Sequence, residues 1–82
     1  MVFHRAKAEP GSALAQARIE AHSSFDQIWK SGFMGRSKAY RWLAHELGIH
    51  PNDCHMVLFD EDTCERVRRL CDQYLFRKTF DL

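Results

Sequence analysis

The chain is poor in most of the features that announce a particular chemistry. No apolar run approaches the ~20 residues needed to span a bilayer, and Met1 to Pro10 lacks the apolar centre of a signal peptide. A cytoplasmic protein without membrane contact is expected. Charge of one sign is missing too: 12 basic residues stand against 11 acidic ones, for a formal net charge of +1. A protein held to nucleic acid chiefly by phosphate contacts carries a marked basic excess, which leaves only a local basic patch open. The 3 cysteines are an odd count with no CxxC pair. That argues against a secreted disulfide scaffold and for reduced thiols.

The chain also lacks catalytic signatures. It has no serine-hydrolase elbow, no glycine loop to cradle phosphate, and no carboxylate pair supported by spacing alone. HELGIH, residues 45–50, resembles the zinc-protease pattern HExxH, but its second histidine comes one residue late. At that spacing the imidazoles of His45 and His50 point ~140° apart around a helix. Gly48 and Pro51 also oppose a helix through His50. FDEDTCE, residues 59–65, is acidic but lacks the glycine and ligand spacing of a calcium loop.

His45, His50, Cys54, His55, Cys64 and Cys71 are the potential metal ligands in the second half of the chain. A set joining Cys54 or His55 to Cys64 and Cys71 is harder to exclude than the others. Two helical turns separate Cys64 from Cys71, ~10.5 Å along the axis. One zinc, with Zn–S near ~2.3 Å, could not take both from one straight helix. The favoured reading makes both thiols small buried hydrophobes. Asp60, Glu61, Asp62 and Glu65 surround Cys64 and would raise its pKa, which opposes a nucleophilic role. No catalytic residue, metal ligand or cofactor is assigned, and the chain is expected not to be an enzyme.

What is present is helical periodicity. The 82 residues suffice for one domain, and 45% are hydrophobic. A chain of this size buries only ~60% of the surface its unfolded form exposes, so its margin of stability is thin. Residues 1–11, ending in Pro10-Gly11, read as a mobile arm. The single domain is then residues 12–82.

The first helix starts at an N-cap, Ser12, and runs to about Trp29 before Ser31-Gly32. Leu14, Ala21, Phe25 and Ile28 form its apolar stripe, which Trp29 widens. His22, beside that stripe, reads as a boundary histidine hydrogen-bonded to backbone. The second helix spans about Gly35 or Arg36 to Leu47, with Gly48 as the stop and Ala39, Tyr40, Leu43 and Leu47 as its stripe. Trp42 lies ~100° from Leu43, at the stripe's edge. Asp60 caps the third helix, where acidic residues come first and Arg66, Arg68, Arg69, Arg77 and Lys78 later, matching the helix dipole. Cys64, Val67, Leu70, Cys71, Tyr74 and Leu75 make its apolar face, with Phe59 placed to staple onto Cys64. Residues 49–59 form an irregular segment that plugs the open end of the core. Within it, His55 to Phe59 is either a buried extended stretch or an extra helical turn. The fold class is all-α, a small three-helix bundle.

Two surfaces compete for function. Phe33, Met34, Arg36, Tyr40, Arg41 and Trp42 gather aromatic and basic residues around the turn before helix two and along that helix. They suit a protein partner, since tryptophan, tyrosine and arginine dominate interface energetics. Trp29 is expected in the core, whereas for Trp42 core and partner contact are both open. Arg66, Arg69, Gln73 and Arg77 share a face of helix three and form the best nucleic-acid row. A helix-turn-helix, however, needs a 3–4-residue turn, and the link after Gly48 is longer.

The stretches AHSSFDQIWKSGFMGRSKAYRWLAHELGI (21–49) and CHMVLFDEDTCERVRRLC (54–71) carry a further signal. Their order, with Ala21-His22, Phe25-Asp26, Trp29-Lys30-Ser31-Gly32, Ala39-Tyr40, Trp42-Leu43-Ala44, Cys54-His55 and Phe59-Asp60-Glu61, resembles the C-terminal half of a family of small phage and prophage proteins. These proteins are labelled as zinc-finger-containing and have no assigned function. The match covers roughly residues 12–72. The family's zinc-binding half, with paired cysteines, would precede this segment, and no cysteine precedes Ser12 here. The resemblance implies a phage or prophage origin and a helical domain that stands without the finger. Together with the surfaces, it implies a non-enzymatic binding module acting on a host or phage protein, with interference with host machinery or defence as a setting. The alternative is a helix-turn-helix-like nucleic-acid-binding protein. No oligomeric state is implied.

Overall fold

A computed structural model of the chain describes residues 8–80. Three α-helices carry the fold: α1 (Ala13–Lys30), α2 (Arg36–Leu47) and α3 (Glu61–Phe80). Short 3-10 turns at Pro51–Asp53 and Met56–Leu58 link α2 to α3. The all-α bundle expected from periodicity is the observed class. Of the arm expected at 1–11, residues 1–7 lie outside the described residues. The remainder turns into α1 through Pro10 and Gly11, where the Ser12 amide donates to the Glu9 carbonyl at 3.0 Å.

Three of the helix ends have a clear local cause, the starts of α1 and α3 and the end of α2. The Ser12 hydroxyl accepts from the Ala15 amide at 3.1 Å, satisfying one of the donors that the first turn of α1 leaves free. Asp60 does the same for α3, where its Oδ1 accepts from the Thr63 amide at 2.7 Å. At the end of α2, Gly48 adopts φ +72°, so that the amides of Gly48 and Ile49 reach back to the carbonyls of His45 and Ala44. This paired closure is the Schellman arrangement, and its left-handed residue is costly for any side chain bearing a Cβ.

The helices run up, down and up. Arg18 of α1 donates to the Phe59 carbonyl just before α3, and Glu20 pairs with Arg68 two turns into it, so α1 and α3 point the same way. Arg66 donates to the Glu46 carbonyl while Trp42 meets Tyr74, which makes α2 antiparallel to α3. The closest and most extensive approach is between α1 and α3. Small residues allow it: Ala21 on α1, and Cys64, Val67 and Cys71 on α3, are all fully buried. Larger side chains, Phe25, Ile28, Leu43 and Phe59, fill the space toward α2 and the linker. Full burial of each such residue contributes about 1.5–3 kcal/mol.

The linker does plug the core. Cys54, Met56 and Phe59 are buried. The His55–Phe59 run takes the extra-turn option, with Met56 turned inward and Val57 outward. Three expectations need correcting. Leu14 sits half-buried at the mouth of α1, outside the core, where the described residues lining the same hollow are Asp60, Glu61 and Asp62 at the acidic start of α3. Trp29 is half-buried rather than enclosed, since its indole lies at the helix end and donates to Asp26 Oδ1 at 3.2 Å. His22 bonds a carboxylate, not backbone: its Nδ1 lies 3.1 Å from Asp26 Oδ2, one turn on.

Candidate functional site

An aromatic row crosses the face shared by α2, the turn before it, and the C-terminal half of α3. The Phe33 and Tyr74 rings meet edge-on with centroids 6.4 Å apart, and Tyr74 meets Trp42 at 5.1 Å. These separations favour the ring quadrupoles. Phe33 is 44% exposed, while Trp42 and Tyr74 are half-buried against the core. Trp42, Glu46, Leu70, Gln73, Tyr74 and Arg77 line a hollow of about 160 Å³ between the helices. A second, more open hollow of about 360 Å³ is lined by Asp62, Arg66, Arg69, Leu70 and Gln73. Leu70 and Gln73 belong to both, so the two hollows adjoin along α3.

Cations sit over one ring of the row and over two rings outside it, Trp29 and Tyr40. Lys78 Nζ lies 5.6 Å from the Tyr74 ring centre. Arg36 sits over both the Trp29 and Tyr40 rings, at 5.6 and 5.8 Å, and Lys30 also approaches Trp29 at 5.6 Å. Such contacts contribute about 0.5–1 kcal/mol each at exposed sites. They also hold the long basic side chains near the rings.

The structure therefore brings together residues that the sequence presents as two separate candidates. Trp42, from the protein-binding set, and Arg77, from the nucleic-acid row, line the same hollow. Phe33 joins them through Tyr74. Met34 is half-buried and packs on the core beside the turn, and Arg41 is exposed on α2. Tyr40 is drawn inward, with its ring 4.6 Å from that of buried Phe25, so it belongs more to the core than to the surface. Arg66 and Arg69 are already engaged, by the Glu46 carbonyl at 3.1 Å and the Glu65 carboxylate at 3.7 Å.

Sequence reasoning placed Tyr74 on the apolar face of α3, where it does pack against the core, but did not foresee its ring contacts with Phe33, Trp42 and Lys78. It also missed the chain His22–Asp26–Trp29, in which one carboxylate takes both an imidazole and an indole. The spacings of four and three were legible, because residues so placed share a helix face. This chain orders the end of α1. It ends on an indole rather than a nucleophile, which distinguishes it from a catalytic relay.

The thiols are positioned for packing. Cys54, Cys64 and Cys71 are free and fully buried. Burial pushes the Cys54 thiol up to about 11. Burial, then the Asp72 carboxylate and neighbouring Cys54, pushes Cys71 up to about 12. Cys64 is raised chiefly by burial, with Arg18 working against it and Asp60 and Glu61 adding to the rise. The acidic neighbours thus act in the direction expected from sequence, but loss of solvent is the larger cause. All three thiols are protonated at neutral pH.

The fold and this surface define a small helical domain with an aromatic, cation-edged face and an interior closed by apolar packing. By sequence, the chain belongs to the DUF3268 family, described as a zinc-finger-containing domain, whose model matches residues 4–74. No curated protein and no solved structure matches it significantly. The family description implies zinc, and the described residues do not fit one. Among them, no three His, Cys, Asp or Glu side chains are grouped to hold a metal ion. No helix among the described residues is long and apolar enough to cross a membrane.

Proposed function

We propose that this chain is a non-enzymatic protein-binding module. Its contact surface is the row Phe33–Tyr74–Trp42 with Arg77 and Lys78 beside it, extended by Arg36 and Arg41 of α2. The observation that carries the reading is the row itself: aromatic rings from the turn, α2 and α3 converge at the surface around an adjoining hollow. Aromatic and arginine side chains at such a place are the usual anchors of an interface. The basic border selects a partner that offers acidic side chains around an apolar or aromatic anchor. The buried, protonated thiols and the indole-terminated His22–Asp26 pair favour binding over catalysis.

The motif order of residues 21–49 and 54–71 supports a phage or prophage origin, with the segment corresponding to the C-terminal half of its relatives. On that reading the partner is a host or phage protein met in the host cytoplasm, and interference with host machinery or defence is the setting. Capture from host lysate with the native chain, Phe33→Ala and Arg77→Glu tests the binding surface. Both substitutions fall on exposed side chains. One protein should be recovered by the native chain and lost about tenfold by each variant, equivalent to ~1.4 kcal/mol. Equal recovery by all three baits removes this surface from consideration.

The nucleic-acid reading retains one supporting observation: Arg66, Arg69, Gln73 and Arg77 border the same pair of hollows. It requires duplex binding that weakens steeply with salt. Because Arg66 and Arg69 are partly committed within the chain, we rank it second.

A further inference from the structure

We infer that the helical segment folds and keeps its shape without a zinc ion, and that its three cysteines act as small apolar core side chains. The inference departs from what the family description suggests, and it rests on where the donors lie.

A structural zinc site draws four nitrogen, sulfur or carboxylate donors onto one point, at ~2.0–2.3 Å. Among the described residues the sulfurs and the imidazoles are segregated. Cys54, Cys64 and Cys71 are fully enclosed among Ala21, Phe25, Ile28, Leu43, Phe59 and Val67. His22, His45, His50 and His55 are all exposed. His22 is held by Asp26 at 3.1 Å, and His50 Nδ1 accepts from the Asn52 amide at 3.0 Å to open the first 3-10 turn. His55 follows Cys54 directly, yet it is exposed while Cys54 is buried, so this neighbouring pair is split between solvent and core.

The thiols cannot form the site by themselves. Cys54 is near enough to Cys71 to add to the rise that burial gives its thiol. Cys64 lies two turns before Cys71 on the same helix, ~10.5 Å along its axis, beyond the span of one tetrahedral ion. Asp60, Glu61 and Asp72 act on the thiols through their charge, and among the described residues no three His, Cys, Asp or Glu side chains are grouped to hold a metal ion. The interior is instead continuous apolar packing. A zinc finger without its metal is unfolded because it has little core of its own. This segment has one, built from all three helices and the linker.

The experiment uses the full chain, purified, stripped with excess chelator and then returned to buffer with or without one equivalent of zinc. Helical signal and melting midpoint should be the same in chelator and in zinc, and the untreated protein should carry substoichiometric metal. Added cobalt should give no intense thiolate-to-metal bands. Stoichiometric zinc surviving dialysis, loss of helical signal in chelator, or cobalt–thiolate absorption would each overturn the inference. None of these readouts depends on whether the surface proposed above binds a protein.

Discussion

Asp60 shows how much a single side chain decides in so small a domain. Its carboxylate closes the first turn of α3 at 2.7 Å, shorter than the 3.1 Å bond by which Ser12 caps α1. Asp60→Ala should destabilise the protein by about 1 kcal/mol, read as a lower urea midpoint at unchanged slope. The buried thiols make a second prediction, about pH. In the unfolded chain a cysteine ionises near 9.0, whereas Cys54 and Cys71 in the fold hold their protons up to about 11 and about 12. Above pH 9 the unfolded state therefore binds fewer protons than the folded one, and stability falls as pH rises through that interval. Below it these groups contribute no slope. Urea midpoints measured from about pH 7 to about 11 should decline only in the upper part of that range, and less steeply in a Cys71→Ala variant.

Helix boundaries explain why so much of the architecture was readable in advance. Ser12, Gly48 and Asp60 act through atoms within a few residues of themselves, so their effect is written locally. Gly48→Ala should cost ~1–2 kcal/mol, because a Cβ there meets no neighbour and the whole penalty is the left-handed backbone. Gly35 offers the opposite case. It occupies the N-cap of α2 with φ −70° and no side-chain cap, so Gly35→Asp should gain a few tenths of a kcal/mol. Paired thermal melts of the two variants check both signs. What could not be read locally is how helices meet. Trp42 and Arg77 are far apart in sequence and share a hollow only because α2 and α3 run antiparallel. Leu14 fits the stripe of α1 by spacing, yet the described residues that share its hollow are the carboxylates Asp60, Glu61 and Asp62.

In the assembled domain, binding and packing draw on the same side chains. Tyr74 meets Phe33 and Trp42 at the surface and also packs against the core. Substituting it would disturb both, which is why Phe33 and Arg77 are the informative positions for a binding measurement. The core itself depends on partners distant in sequence, since α1 packs most extensively on α3 and much less on α2.

That choice of partner has a consequence for synthesis. The tightest seam of the bundle joins the first helix to the last, so no shorter stretch from the N-terminal side encloses an interior. A fragment of residues 1–60 should show little helical signal and no cooperative melt by circular dichroism, its exposed Phe25 and Ile28 left without cover. On the ribosome the chain would wait, unfolded and sticky, until α3 has emerged, and only then acquire its shape in one step.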